Sequence, residues 1–329
     1  MSRSAPPAKQ LENNGYFLNI IQLMEELKKS IIRTVAYFDI FHYPMTLLEI
    51  RSYIDMPCTE QALYLALSSL MKEKILFKTK EYYLLKHDDS VISERLKANA
   101  LAEKQIITAK KIAAFLAWFP FIKGIAISGS LSKKIATKKS DYDFFIITEE
   151  NYLWLCKLIF SVFIKLAGVF GLKKYFCLNY VVDESYLEVH EKNVFTATEI
   201  ATLIPVYGGQ IFIDFFAANN WIYDFFPNHT FIQHYAIDKR KNFFTRAIEK
   251  IFRNKTGQKA DNAIMHYFDK RWQKLKAKKH TTKSGFILGS MMVDKHYCKP
   301  YPQHFQQKVL TMHEQNITKI KSIVLAHAS

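Results

Sequence analysis

Residues 124–148, GIAISGSLSKKIATKKSDYDFFIIT, constrain this chain more than any other stretch. The apolar run over 124–128 reads as a short strand, Gly129 and Ser130 as a turn, and the basic segment after them as the opening of a helix. A second strand then carries Asp141 and Asp143 into an apolar run. Strand side chains alternate, so acids two residues apart share one face. Two carboxylates that close repel unless a cation lies between them. Mg²⁺ typically takes one or two carboxylates and fills its remaining positions with water and phosphate oxygens. The Gly-Ser turn adds backbone N–H groups near a helix N-terminus, where a phosphate binds well.

A strand ending in Gly-Ser, followed after ten residues by Asp-x-Asp with apolar neighbours, resembles the nucleotidyltransferase fold of the DNA polymerase β superfamily. The resemblance covers about 25 residues, through a turn, a spacing and a paired acid taken together. It implies that Asp141 and Asp143 ligate Mg²⁺ or Mn²⁺ and that the metal bridges the phosphates of a nucleoside triphosphate. An acceptor hydroxyl would then attack the α-phosphorus as pyrophosphate leaves. Gly129 would admit the phosphates, Ser130 would offer a hydroxyl and an N–H, and Lys133 or Lys134 would meet the β and γ phosphates. Members usually place a third carboxylate on a later strand. Here the strand-like segment 175–182 has Asn179 at its centre, and Asp183 follows at its end as the candidate third metal ligand.

Composition sets the bounds. A chain of 329 residues is long enough for two or three domains. An apolar fraction of 49% and an aromatic fraction of 15% exclude a largely disordered chain. Cys58, Cys156, Cys177 and Cys298 lie far apart without zinc-ligand spacing, which suggests reduced thiols. The N-terminus lacks the apolar core of a signal peptide, and a cytoplasmic location is expected. The longest apolar stretch, 152–171, is interrupted by Lys157 and Lys165. It reads as a helix buried against a sheet rather than a span, with a monotopic membrane contact as the alternative.

The net charge of +16 is concentrated late in the chain, where residues 239–283 hold 15 Lys or Arg against three acids. Such a cluster suits a nucleic acid, a nucleotide or an acidic membrane surface, or else forms a solvated helical face. Aromatic residues interleaved with it suggest helices whose apolar side packs inward.

Taken in order, residues 1–15 are polar with Pro6 and Pro7 and read as a disordered tail. Residues 16–41 show helical spacing that stops at His42, Tyr43 and Pro44, and Thr46 and Thr59 look like N-caps of two further helices. A strand-like hairpin follows Lys74. Three helices and a hairpin give residues 16–88 the order of a winged helix-turn-helix domain. Its second cap would start the recognition helix, which has no Arg and is rich in Leu, Ala and Ser.

Residues 89–118 would form a connecting helix with a basic first part that includes Arg95, ended at Pro120. The nucleotidyltransferase core would occupy 119–192. Residues 193–329 would form a helical, basic C-terminal region, with a helix over 200–204 closed by Pro205, a Gly208–Gly209 turn before another apolar helix, and a connecting loop over 294–302. The expected fold is therefore α+β and helix-rich, with a winged helix, a central α/β domain on a small mixed sheet, and a helical C-terminal region. Two functions from different classes follow: a metal-dependent nucleotidyltransferase with an unidentified acceptor, or a nucleic-acid-binding winged-helix regulator whose transferase domain is degenerate.

Overall fold

Two side-chain caps set the local structure near the N-terminus. The Thr46 hydroxyl accepts the Glu49 N–H at 3.3 Å while the Glu49 carboxylate accepts the Thr46 N–H at 2.8 Å, a reciprocal capping box. Thr59 accepts the Ala62 N–H at 3.2 Å and starts the next helix. The computed structural model describes residues 7–231, 241–279, 291–300 and 305–328, and its fold is α+β and helix-rich. Residues 1–6 of the expected disordered tail, and 239–240 and 280–283 of the basic cluster, lie outside the described residues, while residues 7–15 of that tail are helical, the first helix starting at Pro7.

The chain divides into two units, one made of residues 1–95, 223–230 and 310–329, the other of 96–222 and 231–309. Unit one holds α1 (Pro7–Asp39), β1 (Met45–Thr46), α2 (Leu47–Tyr53), α3 (Glu60–Lys72), β2 (Phe77–Thr79) and β3 (Tyr82–Leu84). β3 lies between β1 and β2 in an antiparallel sheet. Ile31 and Val35 of α1, Ile50 of α2 and Leu63, Leu67 and Leu70 of α3 make the core. Arg95, in the basic first part of the connecting helix, is buried. Its guanidinium lies between the Tyr43 and Tyr82 rings and pairs with Glu49 at 2.6 Å.

Unit two takes in most of α4 (Asp89–Leu116), then β4 (Ile122–Ile127), α5 (Gly129–Ser132), β5 (Asp143–Thr148), α6 (Leu153–Val169), β6 (Cys177–Asp183), α7 (Val194–Ala201), β7 (Ile204–Tyr207), α8 (Gly209–Ala218), α9 (Phe243–Phe252), α10 (Lys255–Ala277), β8 (Met291–Val293) and β9 (Tyr297–Pro300). The last helix, α11 (Phe305–Ala328), belongs to unit one from Leu310 onward. There the His313 ring lies 2.9 Å from the Arg33 carbonyl oxygen.

The strands of unit two form a mixed sheet in the order β7-β4-β5-β6-β9-β8, in which only β5 and β6 run parallel. α6 makes the crossover between those two strands and packs on α10, with the Trp154 ring 5.9 Å from Phe268 and 6.0 Å from Trp272. Lys157 is buried on α6, its ammonium over the Trp272 ring at 5.6 Å, so this cation belongs to the core. No helix among the described residues is long and apolar enough to cross a membrane.

Two expectations for the C-terminal region are corrected. Pro205 does not end a helix but sits inside β7, at the edge of the sheet, where its missing N–H costs least. Residues 297–300, expected as loop, form β9, because Cys298 pairs with Val181 of β6. The Gly208–Gly209 turn is a close approach. Gly208 has φ +81°, and a Cβ there would strike the Lys123 carbonyl oxygen and Gly124 Cα on β4.

Candidate functional site

β4 and β5 are antiparallel, with Ile127 opposite Phe144, so the end of one strand meets the start of the other. The Ser128 N–H donates to the Asp143 carbonyl oxygen at 3.0 Å and closes that end. The chain then turns at Gly129 with φ +66°, where a Cβ would collide with Asp143 Oδ2. Only glycine brings the turn this close to the carboxylate. The Gly129 carbonyl oxygen accepts from Ser132 Oγ at 3.0 Å and Lys133 Nζ at 3.1 Å, and the Ser130 carbonyl accepts the Ile135 N–H. α5 is a single turn, too short for the helix-end dipole expected to receive a phosphate.

β5 begins at Asp143, and the extended backbone reaches back through Tyr142, whose N–H and C=O bond Lys174 and Cys177. The Tyr142 side chain is buried against Tyr175, while exposed Asp141 and half-buried Asp143 flank it. The charges of the two acids act on one another. Burial pushes the Asp143 carboxyl up to about 6. A thiol hydrogen bond from Cys177 and the charge of Lys133 oppose the rise, while Asp141 and Glu199 add to it.

Lys133 does not extend outward. Its ammonium pairs with Glu199 of α7 at 2.8 Å, so Glu199 joins this cluster through a lysine expected to meet phosphates. Lys134 takes a left-handed backbone at φ 58° and is half exposed, 4.0 Å from Glu103. The Ser128 hydroxyl is buried without a hydrogen-bond partner among the described residues.

The third metal ligand expected at Asp183 is not brought to this site. In the parallel β5–β6 pair Asp143 stands opposite Cys177, and Asp183 stands opposite Thr148. Five residues of strand therefore separate it from the Asp143 end, about 16 Å at the usual rise. Asp183 is fully buried, accepting from the Ser185 N–H at 3.0 Å and Oγ–H at 2.7 Å, with His296 Nδ1 2.9 Å away. Asn179 falls at a register shift between these strands. The residue that sequence reasoning missed is Cys177. Burial, then the charge of Asp143, push its thiol up, which keeps it protonated beside the acid.

For a hard divalent cation the donor set is in part suitable. Asp141 and Asp143 supply carboxylate oxygens, and the left-handed turn at Gly129 keeps a Cβ away from the Asp143 carboxylate. The Cys177 thiol is a soft donor and does not suit Mg²⁺. Among the described residues no set of three or more His, Cys, Asp or Glu is disposed to hold a metal. Asp141 and Asp143 could thus hold one cation that keeps most of its water or phosphate ligands. No protein-family model, curated protein or solved structure matches this chain.

Proposed function

We propose that the chain is a metal-dependent nucleotidyltransferase that moves a nucleoside monophosphate from a triphosphate to an acceptor hydroxyl. The observation that carries the reading is the meeting of the Gly129 turn with Asp143 across antiparallel strands, so close that no Cβ fits between them. Asp141 and Asp143 would hold Mg²⁺ or Mn²⁺. When bound, such a cation neutralises charge on the phosphates and on the departing pyrophosphate.

The remaining roles fall to the chain itself. The turn at Gly129 and Ser130 lets phosphate oxygens approach main-chain N–H groups, and half-exposed Lys134 supplies a cation at its end. Lys133 tethers Glu199 beside Asp143 and offsets their repulsion. The acceptor oxygen forms its bond to the α-phosphorus as the bond to pyrophosphate breaks, and the hydroxyl proton leaves to water, because β6 offers a thiol rather than a carboxylate opposite Asp143. The order α1, β1, α2, α3, β2, β3, with β1 beside β3, supports a winged helix in unit one. Its α3 exposes Tyr64 and Leu65 on a groove of 780 Å³ and carries no arginine, which favours docking over base readout.

A second reading, a nucleic-acid-binding regulator without transferase activity, is favoured by Cys177, a thiol rather than an acid, standing opposite Asp143 on β6. One experiment separates the two. A thermal-shift screen of the four ribonucleoside triphosphates with Mg²⁺ should show a nucleotide-specific rise in Tm. The Asp141→Asn, Asp143→Asn double variant should lose that rise, and transfer should fall by at least about a thousandfold, with the circular dichroism spectrum retained. Triphosphate binding unchanged in the double variant would overturn the proposal.

A further inference from the structure

α9 packs inside out. Its buried residues are Thr245 and Glu249, four apart on one face. Thr245 Oγ1 donates to the Trp118 carbonyl oxygen, and the Glu249 carboxylate accepts the Phe121 N–H at 2.8 Å while pairing with Lys241 and Arg253. Polar bonds along the helix, with an apolar contact at its end, therefore fasten it to its unit. Phe252, the last residue of α9, packs against Phe121, Tyr152 and Leu155, but the other large apolar side chains point the other way, with Phe243 74%, Phe244 76% and Ile251 66% exposed and Ile248 beside them. At 100° per residue they span an arc of about 140°. A helix of a water-soluble protein normally buries such an arc.

Charge decides what covers it. Arg246 and Lys250 are exposed along one edge of the arc, and Lys255 and Lys259 follow at the start of α10. The single acid of α9, Glu249, is turned inward and neutralised. A second copy related by two-fold symmetry would bring these cations against the same cations. A nucleic acid would answer the charge but leave Ile248 and Ile251 without apolar partners. A surface of anionic headgroups over hydrocarbon answers both, because an interfacial helix sinks its apolar side while its cations meet the headgroups.

We infer that α9 is an interfacial anchor that lays its Phe243–Ile251 face into an anionic lipid surface, with half-exposed Trp118 at its margin. The test is cosedimentation of the full chain with vesicles of phosphatidylcholine, alone or mixed with phosphatidylserine. Binding is expected to the mixed vesicles and to fall with salt. Phe243→Glu with Ile251→Glu should lower it by at least about tenfold at unchanged Tm, since neither side chain is packed. Arg246→Gln with Lys250→Gln should lower it about fivefold per charge removed.

The inference is overturned if mixed vesicles fail to bind at low salt, or if the double-Glu variant binds them as the parent does. It is overturned equally if the double-Glu change dissolves a dimer, or abolishes binding to an RNA duplex, while vesicles are ignored. None of these outcomes depends on nucleotidyl transfer.

Discussion

Asp143 and Asp183 stand on neighbouring parallel strands, one at the start of β5 and the other at the end of β6, and the sheet treats them differently. Asp183 is the more deeply buried, yet its carboxylate accepts two hydrogen bonds from Ser185 and lies against His296. Asp143 is half-buried and has a weak thiol donor, with Asp141 and Glu199 adding negative charge nearby. Burial by itself therefore does not mark a site. A carboxylate served by several donors is a structural tie, whereas one short of donors and crowded by like charge is suited to a cation.

The sharpest way to break this comparison is to remove the satisfied acid. Asp183→Ala strands the Ser185 N–H and the His296 ring, and should cost about 3 kcal/mol in urea unfolding. The proposed triphosphate binding, measured on the molecules that remain folded, should not change. A loss under about 1 kcal/mol, or a loss of binding at full stability, would show that Asp183 is not a structural tie.

A third acid sharpens the comparison through pH. Asp261 is buried and accepts the Leu155 N–H at 2.7 Å, at the start of α6. Burial pushes its carboxyl up to about 7 even against the main-chain donors of Leu155 and Trp154. The folded state thus keeps a proton that the unfolded chain releases near pH 4. Stability from this group is present below that pH and declines as pH rises through 7. A loss on the order of 2 kcal/mol is expected between about pH 4 and pH 8. Urea midpoints across that range should show the decline, and Asp261→Asn should flatten it.

The smallest effect is expected at Cys177. Cys177→Ser keeps a donor toward Asp143 and should change stability by less than about 1 kcal/mol and transfer by less than about fivefold. A loss of transfer comparable to that expected of the Asp141→Asn, Asp143→Asn double variant would place the thiol in the chemistry and erase the distinction between Asp143 and its neighbour on β6.

Much of the local structure was legible in the chain. Thr46 and Thr59 announce their helices because a cap is a contact within four residues. The Gly129 turn and the Asp141–Asp143 spacing are local in the same sense, and the structure sets that turn against Asp143. Strand β9 was illegible because four residues, paired with β6 and β8 from distant parts of the chain, carry no period of their own. The inverted packing of α9 was also hidden. Aromatic residues among cations suggested an apolar side packed inward, but which side faces the protein depends on the Trp118 and Phe121 main chain that Thr245 and Glu249 bond.

The sequence by itself determined the turn, the paired acids, the caps and the excess of positive charge, since each is set by residue type and by spacings of a few positions. Tertiary structure alone decided that Cys177 stands opposite Asp143, that Glu199 reaches the site through Lys133, and that Asp183 lies at the wrong end of its strand. The physical reason is register. Whether two strands run parallel, and which residues they pair, is set by a crossover helix and by packing between segments far apart in the chain. A strand that looks right by composition can therefore present its acid to either end of the sheet.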